Sequence, residues 1–575
     1  MKILTLHCDY IRFKALKKAL KDVEELSASE KEQKEVKECL VVLTSIEQGD
    51  NEHTIKQMVE AVEKTAKEVK ANNIVLYPYA HLSSNLAKPA IAITLLKEAE
   101  SKLKEKFKQT IRAPFGYYKE FEFKCKGHPL SELSKEFRSD GQIQEKTKIV
   151  SKEEPIDHKK LLSQISRSKL DTSKLKDNDH RILGQKLDLF SFNEVAPGMV
   201  FWHNNGLIVY NELIKYWREE QHKEGYQEIK TPQIMDSKLW KISGHWDKYK
   251  ENNFTTLYED RPFLVKPMNC PGGMLVFKAN SKSYRDLPLR AAEMGVVHRT
   301  ELSGVLNGLF RVIQFTQDDA HIFCADESQA EQEIVGIAKL IQKFYKKFNL
   351  EFDHVELSTR PEKRIGTDEM WDKAEKMLAK ALDKLKIKHK VNKGDGAFYG
   401  PKIDFHVKDS LGRTWQLSTI QLDFSMPERF ELEYTDKDNT QKRPIMLHRV
   451  IYGSLERFIG VLLEHTNGAL PLWLSPRQVR IISFTDRNDK AVEKFASELK
   501  EAIPNLRIDT DTRSDTVQSK IRDAEMLKIN YMIILGDKEE ENKTLAVRSR
   551  GEKPKFNVKK DSFIKELKEE LENRA

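Results

Sequence analysis

Apolar positions recur along this chain in two rhythms. In residues 1–138, short apolar runs at 3–7, 38–46 and 74–79 predict strands. Ile55, Met58, Val59, Val62, Ala66 and Val69 repeat at helical spacing and predict a helix over 53–71. Ile91, Leu95, Leu96 and Leu103 predict another over 89–107, and a lysine-rich helix is expected over 12–24. Alternation over 117–125 predicts an edge strand. From 139 to 185 the apolar residues thin out, which predicts a polar linker with short helices around 159–165.

Residues 186–472 carry a helix at 206–223 and a strand at 226–232 stopped by Pro232. Short strands follow at 263–268, 292–298, 309–316, 321–324, 397–407, 414–422 and 430–434, with helices at 327–348 and 370–385 between them. Many strands and few helices predict a mostly antiparallel sheet with helical insertions. Residues 477–575 return to a strand–helix alternation: strands at 479–483, 506–509 and 531–536, helices at 486–501, 517–527 and 562–571. The expected class is α+β, in several domains.

Composition narrows this picture. At 575 residues the chain exceeds what one core serves. The net charge of +8 is small against 98 basic and 90 acidic residues, so charge alone argues weakly for a nucleic-acid partner. Five cysteines, few and scattered, argue against a disulfide framework and for a reducing, cytoplasmic setting. The N-terminus reaches Asp9 too soon for a signal peptide, and no window is apolar enough to span a bilayer.

Three residues at the edges of apolar segments carry a chemical possibility. Cys270 follows Asn269 and precedes Pro271-Gly272-Gly273; His321 follows Gln317-Asp318-Asp319-Ala320; His448 lies in Met446-Leu447-His448-Arg449. One thiolate and two imidazoles make a three-ligand zinc site with one open position. Their separations match no short-range zinc pattern, and lone cysteines and histidines are usually ordinary core residues; the turn glycines and polar neighbours are what favour the metal. An open zinc grips an amine and a hydroxyl together. It distinguishes serine from threonine poorly, because one methyl is worth only about 1–3 kcal/mol. A second sieve is then required.

The motifs resemble those of archaeal-type threonyl-tRNA synthetases over nearly the whole chain. Residues 225–232 resemble the first class II motif, His298-Arg299-Thr300-Glu301 with Leu309-Phe310-Arg311-Val312 and 315–319 the second, and Gly453-Ser454-Leu455-Glu456-Arg457-Phe458 the third. Ala397-Phe398-Tyr399-Gly400-Pro401-Lys402 and Gln421-Leu422-Asp423-Phe424 are typical of the threonyl branch. The resemblance implies an antiparallel class II core at 186–472 and one zinc ion per chain on Cys270, His321 and His448. It implies ATP with Mg²⁺, threonine and tRNA(Thr) as partners, and a homodimer. Arg299 is implied at the α-phosphate and the amino-acid carboxylate, Arg457 on adenine near the γ-phosphate, and Arg311 and Glu301 at the bent triphosphate. Gln317, Asp319, Tyr399, Gln416, Gln421 and Ser454 are the implied substrate-binding set. Such arginines are commonly surface ion-pair partners; three framed by turn motifs fit that reading less well. Gly273, where bacterial relatives carry histidine, and Asn204-Asn205-Gly206 depart from the family pattern.

Residues 1–138 resemble the archaeal editing domain, similar to D-aminoacyl-tRNA deacylases, through 81–84, Lys88-Pro89, 113–119 and 126–130. The implied task is hydrolysis of seryl-tRNA. Lys119 and Tyr118 are implied near the ester, with His81, Glu132 and Lys18, the last on the expected first helix, and with the 80–84 backbone at the adenosine. Arg513, Lys520, Arg522, Lys528, Arg548 and Arg550 give residues 477–575 a basic face, and this stretch resembles an α/β anticodon-binding domain, although the family's glycine near Gln518 is missing. Two alternatives stay open: the same fold charging serine or proline, and an inactive paralogue that binds RNA.

Overall fold

The computed structural model describes residues 1–137 except 21, 22, 24, 84 and 129, then 165, 173 and 175–574 except 249–252. The chain divides into two compact units, Met1–Ile156 and Asp157–Ala575. Most of the expected linker, with its helices around 159–165, lies outside the described residues.

In the first unit β1 (Lys2–Lys18) is central. It pairs antiparallel with β2 (Lys34–Ser45), β5 (Tyr117–Cys125) and β6 (Glu132–Glu136). Strands β3 (Asn73–Pro78) and β4 (Gln109–Arg112) extend the sheet in parallel from β2. The helix Glu52–Val69 begins where the Asn51 side chain accepts from His53 N and Thr54 N, and it buries Ile55, Met58, Val59, Val62 and Ala66. The helix expected over 12–24 does not form, so Lys18 is the last residue of a strand. Ile11, Phe13 and Ala15 are buried at a period of two, and Phe13 pairs with both Lys34 and Phe121. Strand partners on both sides override the local helical preference.

The largest sheet of the second unit has eight strands. In chain order they are β7 (Gln227–Glu228), β8 (Leu289–His298), β9 (Gln314–Cys324), β10 (Glu351–Ser358), β11 (Lys390–Asn392), β12 (Lys402–Lys408), β13 (Thr414–Asp423) and β14 (Ile445–Ser454). Their spatial order is β11-β10-β12-β13-β14-β9-β8-β7. Only the outermost pairs, β7 with β8 and β10 with β11, are parallel. The expected antiparallel core is borne out. One face carries Ala320, Ile322, Ile403, Phe405, Val407, Ile420, Leu447 and Ile451 into a core with the helices Glu327–Lys347, Asp368–Lys384 and Leu455–His465. The other face carries Asp319, His321, Gln421 and His448, and packs Phe323 and Met446 into a second apolar cluster.

Four expected strands are redrawn. Residues 314–316 and 321–324 merge into β9, whose polar stretch Gln317-Asp318-Asp319 reads as a break but is strand, while 309–313 lie outside any strand. Residues 397–401 are turn, and 430–434 shrink to Tyr434–Thr435 after the helix Ser425–Arg429. The helix His180–Lys186 belongs to this unit, since buried His180 takes Leu309 N at 3.0 Å and meets Glu464 at 2.6 Å.

The C-terminal part is a five-stranded sheet. Strands β15 (Val479–Ser483), β16 (Ile508–Asp511) and β17 (Tyr531–Leu535) are parallel, while β18 (Thr544–Ser549) and β19 (Lys555–Lys559) return antiparallel. It is tied to the larger sheet's helices by Arg507–Glu212 at 2.8 Å.

Candidate active site and metal centre

Cys270 opens the helix Cys270–Lys278. Two glycines let this helix start lie close to its neighbours. A Cβ on Gly272 would meet Thr231 at 2.9 Å, and one on Gly273 would lie 3.2 Å from His321 Nδ1. The departure at position 273 therefore removes a side chain that would point at a candidate ligand. His321 on β9 and His448 on β14 are direct cross-strand partners, with ring centroids 5.0 Å apart. One ligand atom each from Cys270, His321 and His448 lies within 4.8 Å of the others, and all three residues are buried.

The surroundings fit a cation. His321 Nε2 is shielded from solvent and has no hydrogen-bond partner. Burial pushes this imidazole down to about 4, so it is a neutral ligand. Burial, with Asp319 and Asp423 nearby, pushes the Cys270 thiol well up, which a cation would reverse. His448 Nε2 lies 2.9 Å from Asp423 Oδ2, while Asp423 Oδ1 accepts from Ser425 N and Met426 N at 2.8 and 2.9 Å. A carboxylate on one imidazole nitrogen fixes the tautomer and frees the other nitrogen. A sulfur and two nitrogens suit zinc.

Beside this triad is a cavity of about 170 Å³, lined by Met268, Cys270, Arg299, Gln317, Asp319, Tyr399, Thr419, Gln421, His448, Arg449 and Val450. The structure thus brings Arg299, Gln317, Asp319, Tyr399 and Gln421 together. Gln416 lies off the cavity: its amide donates to Asp404 Oδ1 at 2.7 Å, and Thr419 lines the wall. Arg299 Nε donates to Pro267 O at 3.1 Å, and the guanidinium covers the Phe315 ring. Arg311 is paired with Glu301 at 2.9 Å. Arg457 Nε donates to Phe310 O at 2.9 Å. Burial and then the charges of Arg311 and Arg299 hold Arg457 below its ordinary value. A buried cation held down by two neighbouring cations marks a place prepared for an anion.

Ser454 does not line the cavity; it accepts from Arg457 N at 3.2 Å and so starts the helix that carries this arginine. The preceding bend is held by Asp318, buried beneath β14, which accepts from Ile451 N and Gly453 N, each at 2.9 Å. Burial pushes Asp318 up to about 7, against the pull of Arg449 and these backbone groups.

In the first unit a cavity of about 420 Å³ collects His81, Tyr118, Lys119, Tyr77 and Phe121. Lys119 Nζ donates to Pro114 O at 2.9 Å and Tyr117 O at 3.1 Å, and it lies 5.1 Å from the Tyr77 ring centroid. Burial pulls it down to about 8. Two expected participants do not line this cavity. Lys18 donates to Val23 O and pairs with Glu25, and Glu132 pairs with Leu6 on β1. Ser84 lies outside the described residues.

The C-terminal basic face is also rearranged. Lys520 is 2% exposed and donates to Ser483 O, so it is a core residue. Arg513 is engaged by Asp511 and Asp523, at 2.7 and 2.8 Å, while Arg522 is exposed. The exposed aromatics Phe484 and Phe556 line a different cavity of about 500 Å³ with Arg487, Lys538 and Arg548.

Three family models match the chain: the archaea-specific editing domain of threonyl-tRNA synthetase over residues 1–137, the class II core domain (G, H, P, S and T) over 254–466, and an anticodon binding domain over 478–570. Threonine–tRNA ligase of Clostridium botulinum (strain Kyoto / Type A2) is 54% identical over 400 residues, 70% of this chain and 62% of the relative. That of Desulfatibacillum aliphaticivorans is 53% identical over 399 residues, 69% and 62%. The alignments thus span 62% of the length of these relatives. A solved RNA binding domain of threonyl-tRNA synthetase from Cryptosporidium parvum Iowa II is 41% identical, covering 68% of this chain and 98% of its own, with a TM-score of 0.66. The chain belongs to the threonyl-tRNA synthetase family. A putative threonyl-tRNA synthetase from Aeropyrum pernix is 28% identical, with 69% and 96% covered and a TM-score of 0.61.

In this threonyl-tRNA synthetase family member, the positions of Asp318 and Thr419, the contact of Asp423 with His448 and the exposure of Phe484 and Phe556 are not evident from sequence alone. Asp423 stands inside a quoted motif, but its contact with His448 is a cross-strand relation that no spacing along the chain reveals. An isolated apolar residue flanked by polar ones, as at Phe556, was the available signal for an exposed aromatic.

Proposed function

We propose that this chain ligates threonine to tRNA(Thr) through a threonyl-adenylate, consuming ATP with Mg²⁺, and that its N-terminal unit hydrolyses seryl-tRNA. The observation that carries the reading is the buried Cys270–His321–His448 triad opening onto a small cavity walled by Asp319 and Arg299. Zinc bound there supplies a Lewis-acidic position for the amine and hydroxyl of a β-hydroxy amino acid. Asp319 accepts from an N–H of the substrate amine, while Gln317, Tyr399 and Gln421 shape the rest of the pocket. Arg299 holds the carboxylate against the α-phosphate, where negative charge grows during attack. Arg311 and Arg457 bind the triphosphate, with Glu301 holding Arg311 in place.

A pocket of this kind admits serine, which lacks only a methyl worth about 1–3 kcal/mol. Lys119, with its lowered affinity for protons, supplies a base for the water that attacks the seryl ester. The exposed Phe484 and Phe556 stack on unpaired anticodon bases, with Arg487 and Arg548 at the phosphates. A homodimer formed through 225–232 and a cytoplasmic setting complete the reading. Among the described residues no helix is long and apolar enough to cross a membrane.

The test combines metal analysis with threonine- and serine-dependent ATP–pyrophosphate exchange and tRNA charging. Zinc bound at the Cys270 site with threonine-driven exchange is expected. Exchange driven by proline or by serine alone, or full activity without zinc, would overturn the assignment.

A further inference from the structure

We propose that His354, Glu356 and His406 form a second metal site, which takes one divalent transition ion of the zinc, cobalt or nickel class. His354 on β10 and His406 on β12 are direct cross-strand partners, and their rings stack with centroids 4.2 Å apart. Glu356 stands two residues along on the same face of β10, its carboxylate oxygens 3.3 Å from His354 Nε2 and 3.7 Å from His406 Nε2. One ligand atom each from these three lies within 4.8 Å of the others. The cluster is on the face of the sheet that also carries Asp404, Thr419 and the substrate cavity; His406 stands opposite Gln416, and none of the three lines that cavity.

Three features distinguish the cluster from ordinary surface charges. His406 Nε2 is shielded from solvent without a hydrogen-bond partner. His354 Nδ1 lies 2.6 Å from Asp353 Oδ2, which places its proton there and turns the Nε2 lone pair toward Glu356. Asn392 Nδ2 donates to Glu356 Oε2 at 2.9 Å and orients that carboxylate. Each primary donor on β10 thus has a polar partner behind it, as metal ligands require. Two imidazoles and a carboxylate, without a thiolate, favour a borderline divalent ion over copper(I), calcium or magnesium. A shared ion needs the two rings to turn about Cβ–Cγ so that their planes converge. Their side chains keep 23% and 16% of their surface in solvent, which leaves space for that turn and for a water ligand. Bound there, the ion ties β10 to β12 near the sheet's β11 edge.

The full-length protein, carrying one equivalent at Cys270, is titrated with Co²⁺ or Zn²⁺. A second equivalent is expected. With Co²⁺ it adds d–d absorption but no sulfur-to-metal charge transfer, which only the Cys270 site provides. His354→Gln or His406→Gln should abolish the second equivalent and leave the first. Asp353→Asn, which keeps the fold and all three ligands, should weaken it by about 10–100-fold. Binding of one equivalent only, or a second that survives both histidine substitutions, overturns the proposal. A second equivalent with thiolate charge transfer overturns it as well.

Discussion

His321 and His448 stand opposite each other in adjacent antiparallel strands, their ring planes at 81°. A strand pair fixes that distance more firmly than a loop does, and the start of the Cys270 helix closes the third side. Removing the metal or making Cys270→Ser should therefore lower threonine-dependent exchange by about two orders of magnitude or more. Exchange kinetics with parallel zinc analysis check this. Undiminished exchange in a zinc-free sample would refute it.

Asp423 holds His448 and is itself held by two backbone N–H groups. Asp423→Asn keeps an acceptor for those groups but loses the charge behind the imidazole. Zinc affinity should fall by about 10–100-fold with little change in fold, as read by competition with a chromophoric chelator. Equal affinity would mean that the carboxylate is merely a helix cap.

Lys119 titrates near 8, below its ordinary 10.5, because it is buried. Hydrolysis of seryl-tRNA should rise with pH through about 8, and Lys119→Met should remove both the activity and the rise while sparing threonine-dependent exchange. The stability sign follows from proton counts. Between pH 8 and 10.5 the unfolded chain binds more protons at this residue than the folded one, so folding gains stability as pH rises across that window. The Met variant should lose that gain in urea titrations at the two ends of the window. A flat pH–rate profile counts against Lys119 as the base.

Gly453 adopts φ +77°, and a Cβ there would lie 2.5 Å from Leu417 O. Gly453→Ala should destabilise the protein by about 1–3 kcal/mol and raise the KM for ATP, because the bend aims the Arg457 helix. Denaturant unfolding and exchange kinetics read the two effects separately; a KM unchanged despite lost stability would uncouple them.

Phe484→Ala or Phe556→Ala should weaken tRNA binding by about 1–3 kcal/mol each, the usual loss for a stacked base. Arg513→Ala should change it far less, since Asp511 and Asp523 already engage that guanidinium. Charging kinetics against tRNA concentration decide between the two faces, and the reverse ranking would restore the face around Arg513 and Arg522.

Much of this protein was legible along the chain. The helix Asn204–Lys223, the antiparallel character of the core and the identity of Cys270, His321 and His448 follow from periodicity and motif, because those signals are local. Other features depended on partners far away in sequence. Residues 12–18 are strand because β2 and β5 flank them, and Lys520 is buried because β15 lies beneath it. Thr419, not Gln416, walls the cavity because, although both donate to Asp404 Oδ1, only Thr419 stands opposite Val450 on β14. Strand register is a long-range choice made by side chains from several segments at once, and a one-residue slip reverses which face each occupies. Residue types determined what chemistry was available; the pairing of distant strands decided which of those residues meet.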